Sequence, residues 1–181
     1  MNNSNSSSIK NFFILKPTKK ILKSHFTHNN IYFFSFTLGL ISSVLISFNL
    51  SFLYILFLWF SFYLYILGNN IIKLRYDDTS FEFRKEIVLN KIVDSFIMIG
   101  FYLIYPQFGI MYLFYLVGII INIYNSQNKA ILFPSKFENF FIFTLMALFP
   151  DMIFFILGLF NLLIFYKGFN SLHKMFFQNK A

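Results

Sequence analysis

The sequence predicts an all-α integral membrane protein, a six-transmembrane-helix bundle preceded by a short interfacial amphipathic helix. Three observations carry this. Of the 181 residues, 57% are hydrophobic and 12% charged, with a mean hydropathy of +0.65, which lies outside the range of soluble domains. The apolar residues come in continuous blocks without the polar–apolar alternation a membrane barrel requires. The 15 Lys and Arg, finally, are confined to alternate connections between those blocks.

Taken in order, residues 1–9 (MNNSNSSSI) are polar, lack the basic start and cleavage site of a signal peptide, and read as a disordered tail. Residues 10–30 carry Lys10, Lys16, Lys19, Lys20 and Lys23 among Phe12, Phe13, Ile21, Leu22 and Phe26, with a break at Pro17. This is the pattern of a juxtamembrane interfacial helix, with its lysines on anionic membrane lipid, and equally of a basic tail that only sets topology. The membrane domain, residues 31–174, contains six apolar segments: Ile31 to Phe48, Leu50 to Gly68, Ile87 to Tyr105, Phe108 to Tyr124, Asn139 to Phe149 and Met152 to Tyr166. A span needs roughly 20 apolar residues. The last two fall short of that, and the Pro150-Asp151 pair between them also fits one broken hairpin. Residues 175–181 read as a C-terminal tail.

Orientation follows from the basic residues. They precede the first segment, lie between the second and third (Lys73, Arg75, Arg84, Lys85, Lys91), lie between the fourth and fifth (Lys129, Lys136), and follow the sixth (Lys167, Lys174, Lys180). The connections FNL, YPQFG and LFPDM have none. The positive-inside rule then places both termini and the long loops in the cytoplasm.

The chain has no Cys and three His, so disulfide and thiol chemistry are excluded and a His/Cys metal site is not expected. His25, His28 and His173 are expected at the surface. The net charge of +8 is one-sided, suited to anionic lipid or a phosphorylated substrate, and no nucleic-acid partner is expected. Polar chemistry concentrates in Leu67 to Asp94, LGNNIIKLRYDDTSFEFRKEIVLNKIVD.

The stretch THNNIYFFSFTLGLISSVLI, Thr27 to Ile46, is similar to the opening of the CDP-alcohol phosphotransferase family. LGNNIIKLR and EIVLNKIVD, Leu67 to Arg75 and Glu86 to Asp94, resemble the two halves of that family's signature, D-x-x-D-G-x-x-A-R followed after a loop by G-x-x-x-D-x-x-x-D. Leu67, Asn70, Asn90 and Asp94 then stand at the four aspartate positions, and Arg75 at the arginine. FPSKFENFFIF, Phe133 to Phe143, and FNLLIFYKGF, Phe160 to Phe169, resemble the family's fifth and sixth spans.

The resemblance implies a fold and a reaction connected with phospholipid synthesis: transfer of a phosphoalcohol from a CDP-alcohol to an alcohol acceptor, with release of CMP. Mg2+ or Mn2+ would be the cofactor of an active member, a CDP-alcohol its ligand, and a homodimer its assembly. Asp94 takes the place of the base that removes the acceptor's proton. Arg75, Asn70, Asn90, Lys136 and Lys167 fall where substrate contacts are expected, although Arg75, Lys136 and Lys167 also read simply as basic residues at span ends that set topology. Two divalent cations on a pyrophosphate need carboxylates to hold them. Three of the four aspartates are replaced here, so no metal ligand is assigned, and two-metal catalysis is expected to be impaired or lost.

Asp94 also has a plainer reading. A carboxylate two turns into an apolar helix costs about 2.5–3.5 kcal/mol if it faces lipid, so it should turn inward, either as a retained base or as a buried acid paired with Lys91, Arg75 or Asn90. Asp77, Asp78 and Glu82 read as a solvated loop. The alternatives to a pseudoenzyme are a non-enzymatic membrane scaffold or transporter subunit, or a truncated membrane prenyltransferase-like protein. NNIIKLRYD, Asn69 to Asp77, faintly resembles the Asp-rich motif of that last family, which needs more spans than this length holds.

Overall fold

A computed structural model of the chain describes residues 14–22, 27–75, 80–126 and 136–177. Among the described residues every regular element is helical: α1 (Lys16–Leu22), α2 (His28–Ser47), α3 (Ser51–Arg75), α4 (Ser80–Ile104), α5 (Gly109–Ser126), α6 (Lys136–Leu148) and α7 (Ile153–Phe177). Short 3-10 turns, Pro106–Phe108 and Pro150–Met152, join α4 to α5 and α6 to α7.

Local chemistry sets the ends. Thr27, extended at φ −86° and ψ 157°, caps α2 by accepting the Asn30 N–H on its hydroxyl at 3.4 Å. At the far end Asn49 takes the left-handed conformation, φ 60°. Its N–H donates to Ile46 O at 2.8 Å while Leu50 N–H donates to Leu45 O at 3.0 Å. These two bonds satisfy carbonyls the helix end would orphan. Pro106 and Pro150 stop α4 and α6 in the same way: a proline ring excludes helical geometry from the residue before it, and Tyr105 and Phe149 sit at nearly identical φ values of −124° and −126°.

Contacts fix the directions. A Cβ on Gly39 would lie 2.6 Å from Val93 Cγ1, and one on Gly100 would lie 2.6 Å from Ile46 Cγ2, so α2 and α4 run parallel and nearly touch. Small residues permit such approach between apolar helices. Ser35 and Ser61 donate to each other's backbone carbonyls at 2.8 and 2.7 Å, stapling α2 to α3. Gly118 and Gly168 similarly meet Ile164 and Ile121 across α5 and α7. The tight turns at Phe48, Pro106 and Pro150 therefore share one end of the bundle, the turn end, and Thr27 and Lys136 mark the other, the basic end. The core between them includes Tyr54, Ile97, Phe101, Tyr115, Met146 and Phe160, while Phe33, Phe52, Ile110 and Leu162 stay exposed as a lipid-facing surface would require.

The helices differ from the sequence expectation in extent. His28–Ser47 and Ser51–Ile72 are long and apolar enough to cross a membrane. Lys136–Leu148 and Pro150–Tyr166 meet the same length and composition requirement only together, as a pair bent by 117° at the break between them. The stretch from Leu67 to Asp94, read from sequence as a helix end, a charged loop and a helix start, is helical over more of its length than the apolar segments suggested. Leu67 to Arg75 is wholly helical and α4 begins at Ser80, because Glu82, Arg84, Lys85 and Glu86 are good helix formers in sequence with its apolar part. Likewise α7 continues through residues expected to form the C-terminal tail.

Of the expected juxtamembrane stretch, residues 10–30, the described part forms α1 over Lys16–Leu22, and residues 28–30 already belong to α2. Pro17 lies inside the first turn of α1 and does not break it, since a first-turn residue has no helical N–H bond to lose. Ile14 and Ile21 pack on Ile31, Leu67 and Ile71, and Lys16, Lys19 and Lys20 face outward. The 1–9 tail lies outside the described residues. His28 is buried, not at the surface, its ring edge-on to Tyr32 at 6.4 Å.

Candidate functional site

Residues 90, 91 and 94 of α4 are spaced i, i+1 and i+4, and residues 136 and 139 of α6 are spaced i and i+3, so each set presents neighbouring side chains from one helix. These two sets meet. Lys136 Nζ donates to Asn90 Oδ1 at 2.5 Å and also lies 4.2 Å above the Tyr65 ring of α3. One turn further in, Lys91 Nζ is 3.3 Å from Asp94 Oδ2, and the Asn139 amide donates to the same oxygen. The Lys91 and Asp94 side chains are 7% and 6% exposed.

Both charges are thus removed from solvent, and a buried ion pair persists only when further hydrogen bonds complete it. Asn139 supplies one. Leu58, Ser61, Phe62, Val93, Phe140 and Phe143 close around the cluster, leaving a cavity of about 10 Å³ beside Asp94 and Lys136, close to the smallest space that holds one water.

Of the sequence candidates, the structure brings Asn90, Asp94 and Lys136 together. It does not bring Asn70 to them: the Asn70 amide donates back to Ile66 O on its own helix at 2.7 Å. Leu67, the other member of the motif's first half, packs instead with Ile31 and Ile71 near α1. The side chains of Arg75 and Lys167 and the Asp77, Asp78 and Glu82 carboxylates lie outside the described residues. Sequence reasoning missed Asn139. Its signal was present as the polar residue that opens the fifth apolar segment, one helical turn after Lys136. Tyr65, the aromatic floor under Lys136, was missed as well, hidden among 41 other aromatic residues.

The residues do not fit a pair of divalent cations. Among the described residues no group of three or more His, Cys, Asp or Glu converges. The Asn90 oxygen serves Lys136, and Asp94 Oδ2 serves Lys91 and Asn139. An ammonium 3.3 Å from the carboxylate opposes a cation where one would need to bind. What the arrangement does chemically is neutralise a buried acid and tie three helices together. No family model matches the chain, and no curated protein or solved structure matches it either.

Proposed function

We propose that the chain is a six-span membrane protein with both termini in the cytoplasm, built on the CDP-alcohol phosphotransferase plan, in which the remains of the catalytic motif hold the bundle together and the transfer reaction is lost. The observation that carries this reading is the engagement of Asp94 by Lys91 and Asn139: a base that accepts two hydrogen bonds on one oxygen in a cavity the size of one water is poorly placed to meet an incoming hydroxyl. Six crossings are supported by the alternation of directions, with α2, α4 and α6 running one way and α3, α5 and α7 the other. The cytoplasmic assignment is supported by the basic residues at a single end.

On this reading the protein acts in the membrane without turnover, as a scaffold within phospholipid metabolism, and a homodimer is its expected assembly. The test is release of CMP from a CDP-alcohol by the purified protein in the presence of Mg2+ or Mn2+ and an alcohol acceptor. None is expected above the no-protein control. Metal-dependent release that disappears in Asp94→Ala would overturn the proposal.

A further inference from the structure

Gly118 of α5 lies against Ile164, and Gly168 of α7 against Ile121, so these two helices pack closely toward the basic end. Toward the turn end they part. Two aromatic pairs bridge the gap, Phe108 with Phe154 at a ring separation of 6.1 Å and Phe114 with Phe165 at 6.0 Å. Between the pairs Gly158 contributes no side chain, and a Cβ there would find only Met111 Cε, at 3.9 Å. The result is a groove of about 770 Å³, within the roughly 300–1,000 Å³ of small-molecule sites. From Phe154 to Phe165 the helical rise gives it a length of roughly 16 Å.

The groove is apolar with one exception inside it. Ile110 and Leu162 stand exposed on its rim, and none of the described residues that line it is charged. Asn161 lines it too, and is only 7% exposed. Its Nδ2 donates to Met111 O at 2.9 Å, which fixes the amide, while Oδ1 is buried with no hydrogen-bond partner. A carbonyl left unanswered in an apolar medium is costly, and a leucine at this position would avoid the cost. An amide oxygen can only accept, so whatever completes it must bring a donor. Met111, unbranched and flexible, is the movable part of the wall beside it.

We propose that this groove binds one molecule of a long-chain primary alcohol, its hydrocarbon chain lying between the two aromatic pairs and its hydroxyl donating to Asn161 Oδ1 once the Met111 side chain swings aside. Charge and size select this occupant. A phosphate or ammonium headgroup stays at the membrane surface, and no charge in the lining would receive it, whereas a hydroxyl is uncharged and enters hydrocarbon at far lower cost. A protein helix offers no backbone donor, because its N–H groups are bonded internally, and a cylinder 10–12 Å across exceeds the volume of the groove over that length. A hydrocarbon chain without a hydroxyl fills the groove but leaves Oδ1 unanswered. The placement of α5 and α7 in the bilayer belongs to the six-span reading, on which this site rests.

The test uses the full chain in phosphatidylcholine liposomes with a diazirine-tagged hexadecanol and with its methyl ether, which lacks the donor, and maps the photo-crosslinks by mass spectrometry. The alcohol is expected to label the segments around Met111 and Asn161 at least several-fold more than the ether does, and more than it labels the exposed face of α3 at Phe52. Asn161→Leu is expected to bring the alcohol down to the yield of the ether, and Gly158→Leu, which fills the groove, to lower both. Equal labelling by alcohol and ether in the wild type, or groove labelling no stronger than at Phe52, would overturn the proposal, however the variants fold. Membrane placement is tested separately. The chain has no Cys, so Leu162→Cys creates a single thiol, expected to resist a charged, water-soluble maleimide in liposomes. Rapid reaction there would overturn the six-span reading and the site with it, whereas protection combined with equal labelling by alcohol and ether would remove the site alone.

Discussion

Asn139 of α6 and Lys91 of α4 share one acceptor, Asp94 Oδ2, so a single carboxylate oxygen joins helices whose bonded residues lie 45 positions apart in sequence. Removing only the acid strands a buried ammonium. Asp94→Ala should lower unfolding stability by about 3–5 kcal/mol, whereas the double replacement Lys91→Met/Asp94→Leu should recover most of it, because a well-packed apolar pair often equals or exceeds a buried ion pair. Thermal unfolding in detergent micelles gives the comparison. A double variant no more stable than Asp94→Ala would show that the charges themselves, and not their mutual compensation, hold the helices.

The glycines offer a contrast of position. A methyl at residue 100 would meet Ser43 O at 2.7 Å and Ile46 Cγ2 at 2.6 Å, and a backbone carbonyl cannot step aside. At residue 158 the nearest atom is the flexible Met111 Cε at 3.9 Å. Gly100→Ala should therefore cost about 1–3 kcal/mol by forcing α2 from α4, while Gly158→Ala should be neutral or slightly stabilising, since alanine favours a helix by up to about 1 kcal/mol over glycine. Melting temperatures of the two variants measured side by side check this.

Ser35 and Ser61 should behave as a coupled pair. Each hydroxyl donates to the other residue's carbonyl, and polar contacts between membrane helices contribute on the order of 0.6 kcal/mol. A double-mutant cycle with alanine at both positions should return a coupling energy of that size. Strict additivity would mean that the hydroxyls act independently.

Lys136 combines a hydrogen bond to Asn90 with a position over the Tyr65 ring. Tyr65→Leu should weaken the α3–α6 contact by about 0.5–2 kcal/mol, and Tyr65→Phe by much less, because the ring face attracts the cation. Equal losses in the two variants would instead assign the effect to the phenol oxygen.

Much of the helical plan was legible because hydrophobic blocks and prolines act locally. Pro106 and Pro150 punctuate the sequence where they end helices, and Thr27 caps α2 by contact with a residue three positions on. The inward turn of Asp94 and its pairing with Lys91 were also readable, since a lipid-facing acid is costly and the partner lies on the same helix. Asn139 was not, because its importance depends on where α6 meets α4, a relationship that no periodicity encodes. Tyr54 and Tyr115 escaped notice for a related reason: in a run of aromatic residues, a hydroxyl stands out only once burial shows that nothing answers it. The helical part of the stretch from Ser80 to Glu86 was hidden by charge, since charged residues read as loop even where their backbone propensity is helical.

The 13 residues of α6 rise about 20 Å, against a hydrocarbon layer of about 30 Å. On the six-span reading proposed above, in which α6 is one of the crossings, a bilayer around this protein is mismatched on one flank. Lipid beside Lys136 must thin or tilt, or headgroups and water must dip toward Asn90 and Asp94. Membrane thickness then becomes a variable of the protein's state: long-chain lipids would press on the short helix, short-chain lipids would relieve it, and the hydration of the polar interior would follow the length of the surrounding chains.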